Sequence, residues 1–168
     1  MKAFSYLAGI FLVGSIRGIP GRTHILNVYA RYRDRECFWD ILEAYKILHS
    51  SSLILEGYLN CTTRIEELWA HSRMVDKMAQ KLRDIIFYHN LVDICPSKNA
   101  PTWDNGRSGV NYIAKRLDRF LIHDNMVEKM GYVKSCIIEN YISNHRPITL
   151  HWHKVDIRLG MPFNFNRV

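Results

Sequence analysis

Cysteine is scarce and scattered: Cys37, Cys61, Cys95 and Cys136 are all that 168 residues contain. With no CxxC pair and no Cys/His ligand spacing, neither a zinc site nor a disulfide scaffold is indicated. Free buried thiols in a reducing compartment are the expectation. Internal repeats, low-complexity tracts and domain-splitting linkers are lacking too. No apolar run approaches the roughly 20 residues that a membrane helix needs. The longest, in "MKAFSYLAGIFLVGSIRG", follows one lysine and loosely imitates a signal peptide, but no clean small-x-small cleavage site follows. A buried strand from about Phe4 to Val13 explains it as well and is the preferred reading. These absences point to an intracellular protein of the nucleus or cytoplasm, with no membrane partner.

Acidic residues are also in the minority, 16 against 23 Lys and Arg, which gives a net charge of +7. That balance suits a partner carrying phosphates or an anionic surface. An apolar share of 48% is enough for residues 1–168 to close one sizeable core, which argues against disorder.

The pattern along the chain alternates between two periods. "THILNVYA", residues 23–30, follows the Pro20-Gly21 turn signal and reads as a strand, able to form a hairpin with the first apolar run. From Asp34, Phe38, Ile41, Leu42, Tyr45 and Leu48 recur at helical spacing. "LILEG", residues 53–57, looks like a strand covered on both faces. A second helix carries Val75, Met78, Leu82 and Ile85 on one stripe, with Ser72 as its expected cap and an end near Asn90. Residues 112–122, "YIAKRLDRFLI", fit strand or helix, since neither alternating face is cleanly apolar. "SCIIENY" and "PITLHW" add two β-like runs. Strands interleaved with helices indicate an α/β layered fold.

Read in order, "ILNVYA", "LILEGYLN", "NLVDICPSKNAPTWDNGR", "IAKRLDRFLI" and "SNHRPITL" resemble successive landmarks of the endonuclease/exonuclease/phosphatase superfamily. The variety they are most similar to is the endonuclease domain of non-LTR retroelements, and the resemblance runs from about Phe4 to Trp152. It implies a partial four-layer α/β sandwich, two mixed β-sheets face to face with helices outside, and therefore the strand reading for residues 112–122. It further implies an ancestral Mg²⁺-dependent hydrolysis of DNA phosphodiesters.

That chemistry needs carboxylates to hold a hard cation and to activate water, and donors to hold the phosphate oxygens. By the resemblance, Tyr29 matches a tyrosine that donates toward the phosphate, and Asn60 an asparagine that positions it. Asp118 matches the aspartate that orients a catalytic histidine, His145; a surface ion pair with a neighbouring arginine is the alternative. Two positions depart from the pattern. Tyr58 stands where the Gly-Asp-Phe/Leu-Asn motif has its aspartate, and a phenol is a poor general base at neutral pH. Asn144 stands where Ser-Asp-His has its aspartate, keeping the shape and losing the charge. Glu56 replaces a glycine within the strand and is no obvious substitute for the family's principal metal Glu. The resemblance also implies that the chain starts after the strands carrying an Asn and the principal metal Glu. The expectation is a degenerate, truncated phosphodiesterase that binds no metal ion. The alternative is a non-catalytic nucleic-acid-binding module with a basic groove of Lys115, Arg116, Arg119, Arg107 and Arg146 near Trp103.

Two weaker signals are set aside. His151 and His153 share a strand face without a third metal ligand at a confirming spacing. Asn60-Cys61-Thr62 is formally a glycosylation sequon at the expected cleft, and reads as accidental.

Overall fold

The computed structural model describes residues 9–44, 46–139 and 142–153. Its centre is a five-stranded sheet in the order β1-β2-β3-β8-β5. Strand β1 (Gly9–Gly14) forms the expected antiparallel hairpin with β2 (Thr23–Tyr29), which runs parallel to β3 (Leu53–Tyr58); as an edge strand β1 is largely exposed rather than buried, and residues 4–8 of the expected strand lie outside the described residues. Strand β8 (Asp118–His123) lies antiparallel to both β3 and β5 (Leu91–Asp93).

The continuous apolar run of β3 follows from cover on both faces. Leu53 and Leu55 join Leu26, Val28 and Leu121 under the helices α1 (Arg35–Ala44) and α2 (Ala79–Tyr88), where Trp39, Leu42, Leu82 and Ile85 are buried. Ile54 points the other way, with Phe120 and Ile122, into a second core that includes Met126 and Met130. Those methionines belong to α3 (Asp124–Met130), a helix the sequence pattern did not suggest. Val133, Ile148 and Leu150 close that core from the antiparallel pair β9 (Tyr132–Ile137) and β10 (Ile148–His153). A small antiparallel sheet of β4 (Leu68–Ala70), β7 (Ile113–Lys115) and β6 (Trp103–Asp104) completes the fold.

Several local expectations are corrected. Residues 112–122 are extended, but the strand breaks at Arg116-Leu117, so β7 and β8 serve different sheets. Thr102 fixes the break: its buried hydroxyl accepts from the Leu117 and Asp118 amides at 2.9 and 3.0 Å. Outside the central sheet the strands form two separate sheets, β9-β10 and β4-β7-β6, both antiparallel rather than mixed among the described residues. Ser72 does not cap α2, which starts seven residues later behind Met78; Asp76 accepts from the Met78 amide instead, at 2.9 Å. Val75 is exposed ahead of the helix. The first helix ends at Ala44, Leu48 is buried from a separate 3-10 turn (Lys46–His49), and Tyr45 lies outside the described residues. Of the four free thiols only Cys61 is buried; Cys37 and Cys95 are exposed. Among the described residues no helix is long and apolar enough to cross a membrane.

Candidate functional site

Strand register decides which side chains meet. Asn27 pairs with Glu56, Tyr29 with Tyr58, Tyr58 with Asp118 and Glu56 with Phe120. Because side chains alternate along a strand, these residues all stand on the sheet face that looks toward β9 and β10. His145 reaches the same face from the segment before β10. Its Nδ1 lies 3.4 Å from Asp118 Oδ2, and its ring meets the Tyr58 ring edge-on, with centroids 5.0 Å apart. On its other side Tyr58 lies against Tyr29, at 5.1 Å. Four of the residues singled out by the sequence, Tyr29, Tyr58, Asp118 and His145, thus form one contiguous cluster.

An open cleft of about 380 Å³ lies beside it, lined in part by Asn27, Glu56, Asp118, His145 and Arg146. The segment carrying His145 is pinned from below. The Arg146 amide donates to the Thr102 carbonyl at 2.7 Å, and Trp103 bridges to His145 through the backbone. Asn144 does not share this cleft. It lines a larger one of about 710 Å³ with Lys98, Asp104 and Arg146, and its carbonyl accepts from the Asp104 amide at 3.0 Å. The Asn144-His145 doublet is therefore divided between two clefts.

Asn60 sits at the end of β3 with a left-handed φ of 48°. Its carbonyl accepts from Arg35 Nη1 at 2.6 Å, while its side-chain nitrogen is buried without a hydrogen-bond partner. Burial also closes the sequon to any glycosylating enzyme. His151 and His153 are exposed on β10, where His151 contacts the Thr149 hydroxyl and His153 packs on Tyr132.

The basic groove needs correction. Arg116 and Arg119 are buried, at 3% and 1% exposure, and point away from solvent into a quartet with Glu67 and Asp93. Arg116 binds Glu67 at 2.9 Å and Asp93 at 2.5 Å; Arg119 binds the same two carboxylates at 2.5 and 2.6 Å. Two cations and two anions share one site, so neither arginine lies on an exposed basic groove. Arg107 is exposed, Lys115 and Trp103 are half-buried, and Arg146 is tied to the Pro101 carbonyl and to Asp104. Glu67 and Asp93 carried no signal in the sequence pattern, because nothing local marks a carboxylate whose partners lie in another strand.

The cluster has an unusual acid–base character. Burial, with help from Tyr29 and Asp118 and against Arg35, pushes the Tyr58 phenol up to about 12, so it stays neutral at any physiological pH. Burial also raises the Asp118 carboxyl above its ordinary range, although Thr102 and His145 pull it down. The Mg²⁺ that the resemblance implies needs several oxygen donors of negative charge. Here Tyr58 offers a neutral phenol, Asp118 is directed at His145, and Glu56 alone is left on the cleft lining. No group of three His, Cys, Asp or Glu side chains converges among the described residues. This donor set does not fit the ion.

No family model and no curated protein matches the chain. Solved structures do. The endonuclease domain of TRAS1, a telomere-specific non-LTR retrotransposon, superposes with a TM-score of 0.68 at 14% identity, covering 86% of this chain and 63% of that one. The AP endonuclease LMAP from Leishmania major superposes with a TM-score of 0.62 at 19% identity, covering 87% of this chain and 54% of that one. The chain thus spans less than two thirds of either neighbour's length. At these identities what is shared is architecture, and with the central sheet, its covering helices and the two smaller sheets in place, the chain has a deoxyribonuclease I-like fold.

Proposed function

We propose that this chain is a degenerate relative of a retroelement endonuclease, one that holds nucleic acid and does not cut it. The observation that carries the reading is Tyr58. A half-buried phenol that keeps its proton to about pH 12 stands against His145 beside the cleft, at a position where phosphodiester hydrolysis calls for a carboxylate. Asn144 removes a second carboxylate and lies in the other cleft. What survives is the part that does not need a metal: His145 beside Asp118, aromatic rings, and a chain of net charge +7. The ancestral reaction was Mg²⁺-dependent hydrolysis of DNA, in keeping with the endonuclease neighbours.

The test has two arms. Supercoiled plasmid incubated with Mg²⁺ is expected to show no nicking above the buffer control. Anisotropy titration of a labelled oligonucleotide is expected to show affinity that falls linearly on log–log axes as salt rises, as counterion release demands. Nicking that disappears both with EDTA and with Asp118→Ala would overturn the degenerate reading. Salt-independent binding, or none at low salt, would overturn the nucleic-acid reading.

A further inference from the structure

Tyr58 and Glu56, which both depart from a phosphodiesterase site, stand two apart on one face of β3. Tyr29, Tyr58 and His145 make a row of rings: Tyr29 and Tyr58 lie 5.1 Å apart with 30° between their planes, and His145 stands edge-on to Tyr58 at 5.0 Å and 78°. Tyr29 at its outer end is 53% exposed. An exposed ring of this kind takes nucleobases by stacking, without regard to sequence.

Beside these rings, the cleft presents Glu56 and Asn27. Glu56 Oε1 accepts only one long bond, 3.3 Å from Asn27 Nδ2, and among the described residues Glu56 enters no ion pair. A carboxylate without a cation repels a phosphate and attracts N–H donors. It can accept two parallel N–H bonds at once. Among the standard bases only guanine offers two adjacent donors on its Watson–Crick edge, N1–H and the N2 amino group. The other three mix donors with acceptors there. Pairing in a duplex would occupy that edge, so the base must be unpaired.

The phosphates belong outside. Arg31 and Arg33 are exposed just beyond Tyr29, and the Arg35 guanidinium lies over the exposed Tyr32 ring, 5.6 Å from its centroid. Resting on the reading that the chain binds nucleic acid, we propose that this cleft takes the edge of an unpaired guanine of a single strand, held by Glu56, with the exposed Tyr29 beside it as the stacking surface.

The experiment is anisotropy titration in EDTA at low salt, with labelled thymidine oligomers of about ten nucleotides. One carries a single central guanine, one carries inosine there, which lacks the N2 amino group, and one is all thymidine. The guanine oligomer is expected to bind about tenfold more tightly than the all-thymidine one, with inosine between them. Glu56→Gln, which keeps the shape and melts like the wild type, is expected to abolish that preference and retain thymidine binding. Tyr29→Ala is expected to weaken all three about tenfold, whereas Tyr29→Phe keeps the ring and the affinity. Equal binding of the guanine and thymidine oligomers, or a guanine preference that survives Glu56→Gln, would overturn the guanine site and leave the proposed function standing. Failure of every oligomer to bind would overturn both.

Discussion

Replacing Glu67 with glutamine is expected to destabilise the fold by about 3–5 kcal/mol, the range for removing one partner of a buried ion pair. Surface pairs are worth about 0–1 kcal/mol, because water screens them and the side chains lose freedom. The quartet is not on the surface: Arg119 is 1% exposed and Glu67 7%. Loss of the Glu67 charge leaves two buried guanidinium groups sharing Asp93 alone. Glutamine also keeps only one of the two acceptor oxygens, so its NH2 group must face either the Thr63 amide, which donates to Glu67 at 2.7 Å, or a guanidinium. Urea unfolding at pH 7 measures the effect, and a loss below about 1 kcal/mol would show that the quartet contributes no more than a surface pair.

The same residue sets an acid limit. Burial alone would raise the Glu67 carboxyl, but hydrogen bonds and charge from Arg119, the Thr63 amide and Arg116 outweigh it and bring the group down to about 2, from an ordinary 4.5. The folded state therefore binds its proton less readily than the unfolded chain, and stability is present in full above about pH 5 and lost as the pH falls toward 2. A depression of this size corresponds to about 3 kcal/mol. Wild type and Glu67→Gln should accordingly differ most near neutrality and converge near pH 2. Parallel curves across that window would assign the acid loss to other carboxylates.

The fate of individual residues shows what a sequence pattern can carry. "LILEG" was legible because cover on both faces leaves an uninterrupted apolar run, and Leu53, Ile54 and Leu55 do divide between two cores. The stripes through Leu42, Leu82 and Ile85 were legible because helical period survives any tertiary arrangement. Trp39, fully buried, fell outside the stripe read for α1, and α3 was too short for a period to emerge from Met126 and Met130. The arginines were misread for a different reason. Charge in a sequence looks solvated, since the carboxylates that draw Arg116 and Arg119 inward lie 49 and 23 positions, and 52 and 26 positions, away along the chain. The meeting of Tyr29, Tyr58, Asp118 and His145 was legible only through family likeness. The division of Asn144 from His145 depends on backbone anchors at Thr102, Trp103 and Asp104 that no local motif encodes.

Gly57→Ala is expected to cost about 3 kcal/mol or more, since strained backbone and a core-like clash each contribute on the order of 1–3 kcal/mol. Gly57 adopts φ +118°, which side chains with a Cβ rarely enter, and an added Cβ would lie 2.3 Å from the Val28 carbonyl oxygen and 3.0 Å from its nitrogen. Those atoms belong to the neighbouring strand, not to the tip of a flexible side chain, so relief requires β3 to separate from β2. That displacement would part Tyr58 from Tyr29, now 5.1 Å apart, and open the row of rings. Stability and oligonucleotide affinity should therefore fall together. Gly14→Ala supplies the control: nothing lies within 4 Å of its added Cβ, and its effect should stay within about 0.5 kcal/mol. Urea unfolding of both variants, with anisotropy titration of the folded fraction, makes the comparison. A Gly57→Ala protein as stable as Gly14→Ala would mean that β2 and β3 are not held as closely as the cleft requires.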